Sequence, residues 1–330
     1  MSSSEPPVLL VGWSRERTLR RLAEHLREAG REFTLLDLGE VVHASVISIV
    51  ATPGGMSIVY DGRTTHLEAF DSIFCRVFAS PQPTARQRAV HDAVISEVLR
   101  YLQYTRATVV NRPRSGAANA SKLVQLRDLR ACGFRVPETF LSGSPSHVKQ
   151  RVGASAEWVS KGASGTRTRV AAIDKAVFLT IDSVRKVPSL FQSRVEGDDV
   201  RLHVIGEEMI GLRIATCAVD YRYATRMGFE MAVEAIEPPL SIRVACIEYC
   251  RREGLIFAGF DFKIDRQTGE WIVLECNPMP GFDFFDDYAE GAIARALERA
   301  LFSVYRQQQK VLVEREPLIP TTRRPAVDRG

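Results

Sequence analysis

The sequence predicts an α/β (α+β) fold, and three observations carry that prediction. The chain opens β-α-β, its middle is a run of short apolar segments broken by polar turns, and two adjacent strands near the end hold carboxylates among apolar neighbours. At 330 residues the length suggests about two domains, with ample chain for a core.

Residues 8–13 form a short apolar strand, and residues 14–30 a helix with apolar positions at Leu19, Leu22, Ala23 and Leu26 that Gly30 ends. Residues 33–38 are the next strand. Gly12-Trp13-Ser14-Arg15 lacks the G-x-G-x-x-G loop, which speaks against a dinucleotide site. Residues 46–60 and 65–67 read as a hairpin region, 72–77 as a buried strand, 87–104 as a long amphipathic helix and 108–111 as a strand. The loop from Asn111 leads to a helix over 120–132, stopped by Gly133. Residues 135–141 run extended, 146–152 form a short helix, and the strand 158–161 opens into Gly162-Ala163-Ser164-Gly165. An antiparallel sheet continues through 170–173, 176–181, 190–192 and 199–205, with 209–217 pairing behind a turn at 206–208. Helices over 240–253 and 289–309 complete the pattern. Residues 1–7 and those from 310 onward lack periodicity and are expected to be disordered.

Hydrophobic residues at 45% and charged residues at 25% fit a soluble globular protein. The net charge of +4 is small and its arginines are dispersed, which gives no support to nucleic-acid or membrane-surface binding. No stretch approaches the ~18 apolar residues of a membrane span, and the first residues lack the basic region of a secretory signal. Six cysteines are scattered. Cys246 and Cys250 are one helical turn apart, but no nearby Cys or His completes a metal set, so buried thiols in a reducing cytoplasm are expected.

The chemistry concentrates in Phe260-Asp261-Phe262, a polar turn over 265–270, and Val273-Leu274-Glu275-Cys276-Asn277-Pro278. Glu275 and Asn277 are two apart and share a strand face. Two carboxylates and an amide on a buried sheet suit a hard divalent cation whose remaining ligands are phosphate oxygens and water. Upstream lie Lys122 at a helix start, Lys161 before the small-residue loop, Gln192-Ser193-Arg194-Val195, and Asp198-Asp199-Val200-Arg201. In this order these features resemble the ATP-grasp ligases, from about residue 8 to 301. Asn119 to Leu126 and Gly133 to Thr139 resemble the peptide-modifying branch, and Pro188 to Gln192, Asp199-Val200-Arg201 and Asp220-Tyr221-Arg222 are similar to its macrocyclases. That branch holds glutamate ligases and the graspetide (microviridin-type) macrocyclases. Tyr221 stands where those macrocyclases commonly have Trp, and Ser121 where Asn often precedes the first lysine.

The resemblance implies an ATP-grasp fold: an N-terminal open α/β domain over 8–113, a central lid over 114–192 and a C-terminal antiparallel-sheet domain over 193–309. It places Lys122 and Lys161 on the ATP phosphates, with the loop containing Gly162, Ser164 and Gly165 closing over them. Gln192, Arg194 and Val195 would face adenine, and Asp199 the ribose, with Glu196 as a rival. Arg201 would meet the γ-phosphate. Asp261, Glu275 and Asn277 would hold Mg²⁺, in two ions that Mn²⁺ can replace. Arg213 is expected to clamp a substrate carboxylate, the alternative being a surface ion pair. Arg222 and Asp283, with Asp286 and Asp287, are candidates for substrate contact, helix capping being the alternative for the carboxylates. His203 shares a strand face with Arg201 and either looks into the site or is satisfied within the sheet.

The expected activity is ADP-forming ligation of a carboxylate to an amine or hydroxyl through an acyl phosphate. The expected substrate is a peptide or amino acid, in a graspetide-like natural-product pathway. The alternatives are a ligase of free amino acids or small acids, and a small-molecule kinase. The complete lysine and metal-ligand set speaks against a regulator without turnover. A homodimer is compatible with the resemblance.

Overall fold

The computed structural model describes residues 7–77, 84–152, 157–162, 171–173, 182, 184, 187–218, 221 and 228–303. The apolar segment Val8–Gly12 forms β1 and is buried throughout, as an inner parallel strand requires. It lies between β2 (Thr34–Asp37) and β6 (Ser72–Arg76), with β7 (Thr108–Val110) beyond β6, all parallel. Between β1 and β2 runs α1 (Arg17–Glu28), whose buried face includes the predicted Leu19, Leu22, Ala23 and Leu26. Leu38 does not end the second strand. It begins α2 (Leu38–His43), because the Asp37 carboxylate accepts the Gly39 N–H at 2.8 Å and caps a helix there. The hairpin region is a three-stranded sheet of β3 (Ile47–Thr52), β4 (Gly55–Tyr60) and β5 (Arg63–His66). A capping box between Thr84 and Gln87 starts α3 (Ala85–Tyr104).

After α4 (Lys122–Ala131) comes a third sheet, antiparallel. Its strands are β8 (Thr139–Ser142), β9 (Trp158–Gly162), β10 (Ala171–Ala172) and β11 (Ser189–Ser193), in the order β10-β9-β11-β8. Val148 and Val152 of α5 (Pro145–Val152) pack there with Trp158 and Phe191. The strand expected over 176–181 lies outside the described residues.

A fourth sheet is antiparallel throughout, in the order β14-β13-β12-β15-β16. The strands are β12 (Gly197–Ile205), β13 (Glu208–Thr216), β14 (Met231–Ala235), β15 (Phe257–Asp265) and β16 (Trp271–Asn277). Along β12, polar and apolar residues alternate. Val200, Leu202 and Val204 join Phe260, Phe262, Val273 and Cys276 under α4 and α6 (Leu240–Glu253), which supply Leu126, Leu129, Cys246 and Tyr249. Each large side chain buried there contributes about 1.5–3 kcal/mol, so this face fixes the sheet firmly. The other face carries Asp199, Arg201 and His203, which are also buried.

Two short helices, α7 (Asp283–Tyr288) and α8 (Ala292–Phe302), pack Phe285, Ile293 and Leu297 in one core with Leu19, Leu22 and Leu26 of α1. The closing helix starts later than expected because Gly291, at φ +79°, breaks it from α7. The Asp286 carboxylate then accepts the N–H groups of Ile293 and Ala294 at 2.9 and 3.0 Å. Sequence reading did not anticipate β14; Met-Ala-Val-Glu-Ala is a short edge strand with little β-branched or aromatic content. Cys75, Cys246, Cys250 and Cys276 are buried as expected, whereas Cys132 is half-buried and Cys217 exposed. Burial pushes the Cys75 and Cys250 thiols up to about 12. Among the described residues, no helix is long and apolar enough to cross a membrane.

Candidate active site

Asp261 and Glu275 stand directly opposite each other on β15 and β16, and Asn277 stands opposite Gly259. All three side chains therefore leave one face of the sheet. Phe262 pairs with Val273, which leaves Leu274 as the extra residue of a β-bulge beside the carboxylates.

Arg201 lies opposite Asp261 on β12 and is 4% exposed. Its Nη1 donates to Asp261 Oδ1 at 2.8 Å, and its guanidinium carbon sits 5.4 Å from the centre of the Phe285 ring. Burial opposes the arginine's charge, but Asp261 foremost, then Tyr221 and Glu275, raise its pKa above the ordinary value. The guanidinium occupies space that only glycine leaves open. A Cβ at Gly259 would lie 2.2 Å from Nη2 and 2.6 Å from Cζ of Arg201.

Lys122 reaches Glu275 from the first turn of α4, with Nζ 2.7 Å from Oε2 and 3.2 Å from Asn119 Oδ1. Gln125, one turn later, fixes that approach. Its amide donates to the Cys276 carbonyl at 2.7 Å and accepts the Cys276 N–H at 3.2 Å. A side chain thus stands in for the missing neighbour at the open edge of β16. Adjacent carboxylates need positive charge beside them, and Arg201 and Lys122 supply it.

The oxygen donors of Asp261, Glu275 and Asn277 fit a hard divalent cation. Among the described residues, no group of three or more His, Cys, Asp or Glu is arranged to hold a metal; this set reaches three donors through the Asn277 amide.

His203 is fully buried behind Arg201, whose Nε faces its Nε2 at 3.4 Å. Burial first, and the Arg201 charge second, push its pKa well below 6.5, partly offset by the Gly281 backbone. The neutral ring accepts through Nε2, stacks against Phe257 and lies tilted against Phe285. The ring is thus held in the sheet in contact with a site residue through Nε2, while its buried Nδ1 has no hydrogen-bond partner among the described residues, so the satisfied-in-the-sheet alternative holds for one nitrogen and not for both.

A second group of candidates runs from β9 and β11 through the link to β12. Lys161 Nζ donates to Gln192 Oε1 at 3.1 Å, and Gln192 Nε2 to Thr139 Oγ1 at 3.0 Å. Gly162 ends β9 beside Ser189. The Arg194 N–H is taken by the Glu157 carbonyl at 2.7 Å, and its side chain pairs with exposed Glu196 at 3.5 Å. Val195 lies in the link between β11 and β12. Asp199 is buried on the Arg201 face, with Lys263 Nζ 2.9 Å from its Oδ2. Ser164, Gly165 and Arg222 lie outside the described residues.

Two expectations need correction. Arg213 is opposite Val200, not Arg201, and so sits on the other face of the sheet from Asp261. There it pairs with Asp198 at 2.6 Å and Glu234 at 3.1 Å and is well exposed, the surface ion pair rather than the clamp. The acidic trio after Asn277 turns to α1: Asp283 accepts from Thr18 at 2.8 Å and pairs with Arg17, and Asp286 pairs with Arg21 at 2.9 Å. Asp283 and Asp286 thus dock helices, Asp286 also capping α8 as the helix-capping alternative has it, while Asp287 is largely exposed.

Sequence reading missed Gly259, Lys263 and Gln125, and missed the role of Tyr221, whose hydroxyl donates to Asp261 Oδ1 at 3.3 Å. Lys263 was within reach, since the spacing Gly259, Asp261, Lys263 is one strand face.

No family model matches the chain. N-acetylaspartylglutamate synthase A of Homo sapiens is 29% identical over 290 residues, 81% of this chain and 67% of that protein. Beta-citrylglutamate synthase B of Danio rerio is 26% identical over 287 residues, 81% of this chain and 65% of that protein. The chain thus spans about two thirds of the length of these curated relatives. Among solved structures, the ATP-grasp ligase PsnB, complexed with a minimal precursor, Mg and ADP, superposes with a TM-score of 0.70 at 26% identity, covering 89% of this chain and 97% of that one. The macrocyclase MdnC from Microcystis aeruginosa MRC, bound with precursor peptide MdnA, gives a TM-score of 0.74 at 17% identity, covering 89% and 99%. At that identity the likeness to MdnC concerns the fold. The comparisons agree with the ATP-grasp architecture and with ATP-dependent ligation, and favour them over a kinase.

Proposed function

Since the chain belongs to the ATP-grasp ligase superfamily, we propose that it activates a peptide carboxylate with ATP and Mg²⁺ and passes it to an amine or hydroxyl. The observation that carries this reading is the set Asp261, Glu275 and Asn277 on one sheet face, with Arg201 and Lys122 bound to its two carboxylates. The peptide substrate is favoured by PsnB, solved with a minimal precursor. ATP and Mg²⁺ are favoured by the nucleotide and metal bound to PsnB.

In this reading residues 8–113, 114–192 and 193–309 are the N-terminal, lid and catalytic domains. Asp261, Glu275 and Asn277 would hold two divalent ions, Mg²⁺ or Mn²⁺, which would supply Lewis-acid neutralisation of phosphate charge. Lys122 and Lys161 then exchange Glu275 and Gln192 for phosphate oxygens. Arg201 stays fixed by His203 and Phe285 and meets the charge that develops as the acyl phosphate forms. The loop with Gly162, Ser164 and Gly165 shields that intermediate from water. Gln192, Arg194 and Val195 frame adenine, and Asp199 takes the ribose in preference to exposed Glu196. Arg222 contacts the acidic substrate, and a homodimer is the proposed assembly.

Mass spectrometry of candidate acidic peptides, incubated with ATP and Mg²⁺, tests this. Loss of water with equal release of ADP and phosphate is expected. Gain of an amino-acid residue would indicate chain extension instead. Phosphate retained on the product would overturn ligation.

A further inference from the structure

The three candidate metal ligands sit on a hairpin whose two ends are fastened from outside the sheet. Asn111, just past β7, makes that attachment with one amide. Its Nδ2 donates to the carbonyls of Phe257 and Pro278, and its Oδ1 accepts the N–H groups of Ile256 and Phe257 at 2.8 and 2.9 Å. Both donors and both lone pairs are used. Ile256 and Phe257 lead into β15 ahead of Asp261, and Pro278 follows Asn277. One side chain therefore ties the entry of the hairpin to its exit.

The exit is gripped a second time. Arg76, 4% exposed at the end of β6, donates Nη1 to the carbonyls of Pro280 at 3.0 Å and Met279 at 3.4 Å. Glu16 aims it through two bonds of 2.7 and 3.0 Å while also capping α1 at the Leu19 N–H. Burial works against the Glu16 charge, yet Arg76 and those backbone bonds hold its pKa below the ordinary value. Gly116 closes the grip from behind, where a Cβ would lie 2.6 Å from that of Pro278. Within this loop the Met279 N–H donates to Asn277 Oδ1 at 3.0 Å and so sets the direction of that oxygen.

We infer that Asn111 and Arg76 are positioning residues, which set the spacing and orientation of Asp261 and Asn277 and thereby the divalent-cation affinity of the site. The inference rests on the metal reading of the proposed function. Residues that aim metal ligands without touching the ion are typically worth about 10–100-fold in affinity.

The test is direct Mn²⁺ binding in the presence of ADP, followed by the electron paramagnetic resonance of free Mn²⁺. Parallel calorimetry measures ADP binding without divalent ions. Asn111→Asp keeps the shape but loses both donors, and Arg76→Lys keeps the charge but loses the fork. Both are expected to weaken Mn²⁺ binding by about 10–100-fold while metal-free ADP binding is retained. Should Asn111→Asp fail to fold, Arg76→Lys carries the test. A role confined to overall folding would weaken both ligands together, which would overturn the inference. Unchanged Mn²⁺ binding in both variants, with binding lost in Asp261→Asn, would also overturn it and leave the metal reading standing. Unchanged binding in Asp261→Asn would remove the metal reading and the inference with it.

Discussion

Adding one methyl group at Gly259 should disable the site without replacing any charged residue. In Gly259→Ala the new Cβ would lie 2.2 Å from Arg201 Nη2, 2.6 Å from its Cζ and 2.7 Å from the Pro280 Cβ. Non-bonded carbon contacts settle near ~3.5–4.0 Å, so the guanidinium must retreat by roughly 1 Å or more, and the methyl group also crowds Pro280. That retreat strains the 2.8 Å bond to Asp261 and the seat over Phe285. A displacement of ~1 Å at reacting groups can cost ~10²-fold in rate, and overpacking adds about 1–3 kcal/mol of destabilisation. The assay is ADP formation at saturating ATP, with a thermal melt on the same sample. A fall in kcat of ~10²-fold in folded protein is expected. Gly281→Ala is the control, since its Cβ would meet nothing closer than Thr18 Oγ1 at 3.6 Å. A folded Gly259→Ala variant with near-normal kcat would refute the claim that Arg201 acts from this seat.

Lys161→Ala should raise the KM for ATP while the fold persists, and an unchanged value would take Lys161 out of the phosphate site. Arg213→Ala removes two surface pairs, each worth about 0–1 kcal/mol, and should leave ADP formation nearly intact; a large rise in the KM of the carboxylate substrate would restore Arg213 as the clamp. His203 gives a pH signature. Its folded pKa is depressed below 6.5, so as pH falls through 6.5 the unfolded chain takes up the proton first and stability declines. Denaturant titrations between neutral pH and about pH 5 should therefore slope less for His203→Gln than for the wild type; equal slopes would contradict a neutral buried imidazole.

Much of this site was legible because its information is local. The i, i+2 spacing of Glu275 and Asn277, and the hairpin that brings Asp261 beside them, need only strand periodicity. Lys122 was legible through its place at a helix start. Arg213 was misread through a single turn. Taking 206–208 as the turn pairs residue 205 with 209 and puts Arg213 opposite Arg201. The observed pairing of Ile205 with Glu208 shifts the register by one residue and turns Arg213 to the opposite face. Asp283 and Asp286 could not be assigned from local pattern, since their partners Thr18 and Arg21 are some 265 residues away in sequence. The same holds for Gly259, whose role exists only once the Arg201 side chain crosses above it, and for Gln125, whose partner is the backbone of a distant strand.

The central claim is that ATP activates a carboxylate as an acyl phosphate. Heavy-oxygen labelling tests it most directly, using a peptide substrate whose carboxylates carry the label. The account predicts one labelled oxygen in each phosphate released with ADP, and loss of that signal in Glu275→Gln. Phosphate released without label would contradict it.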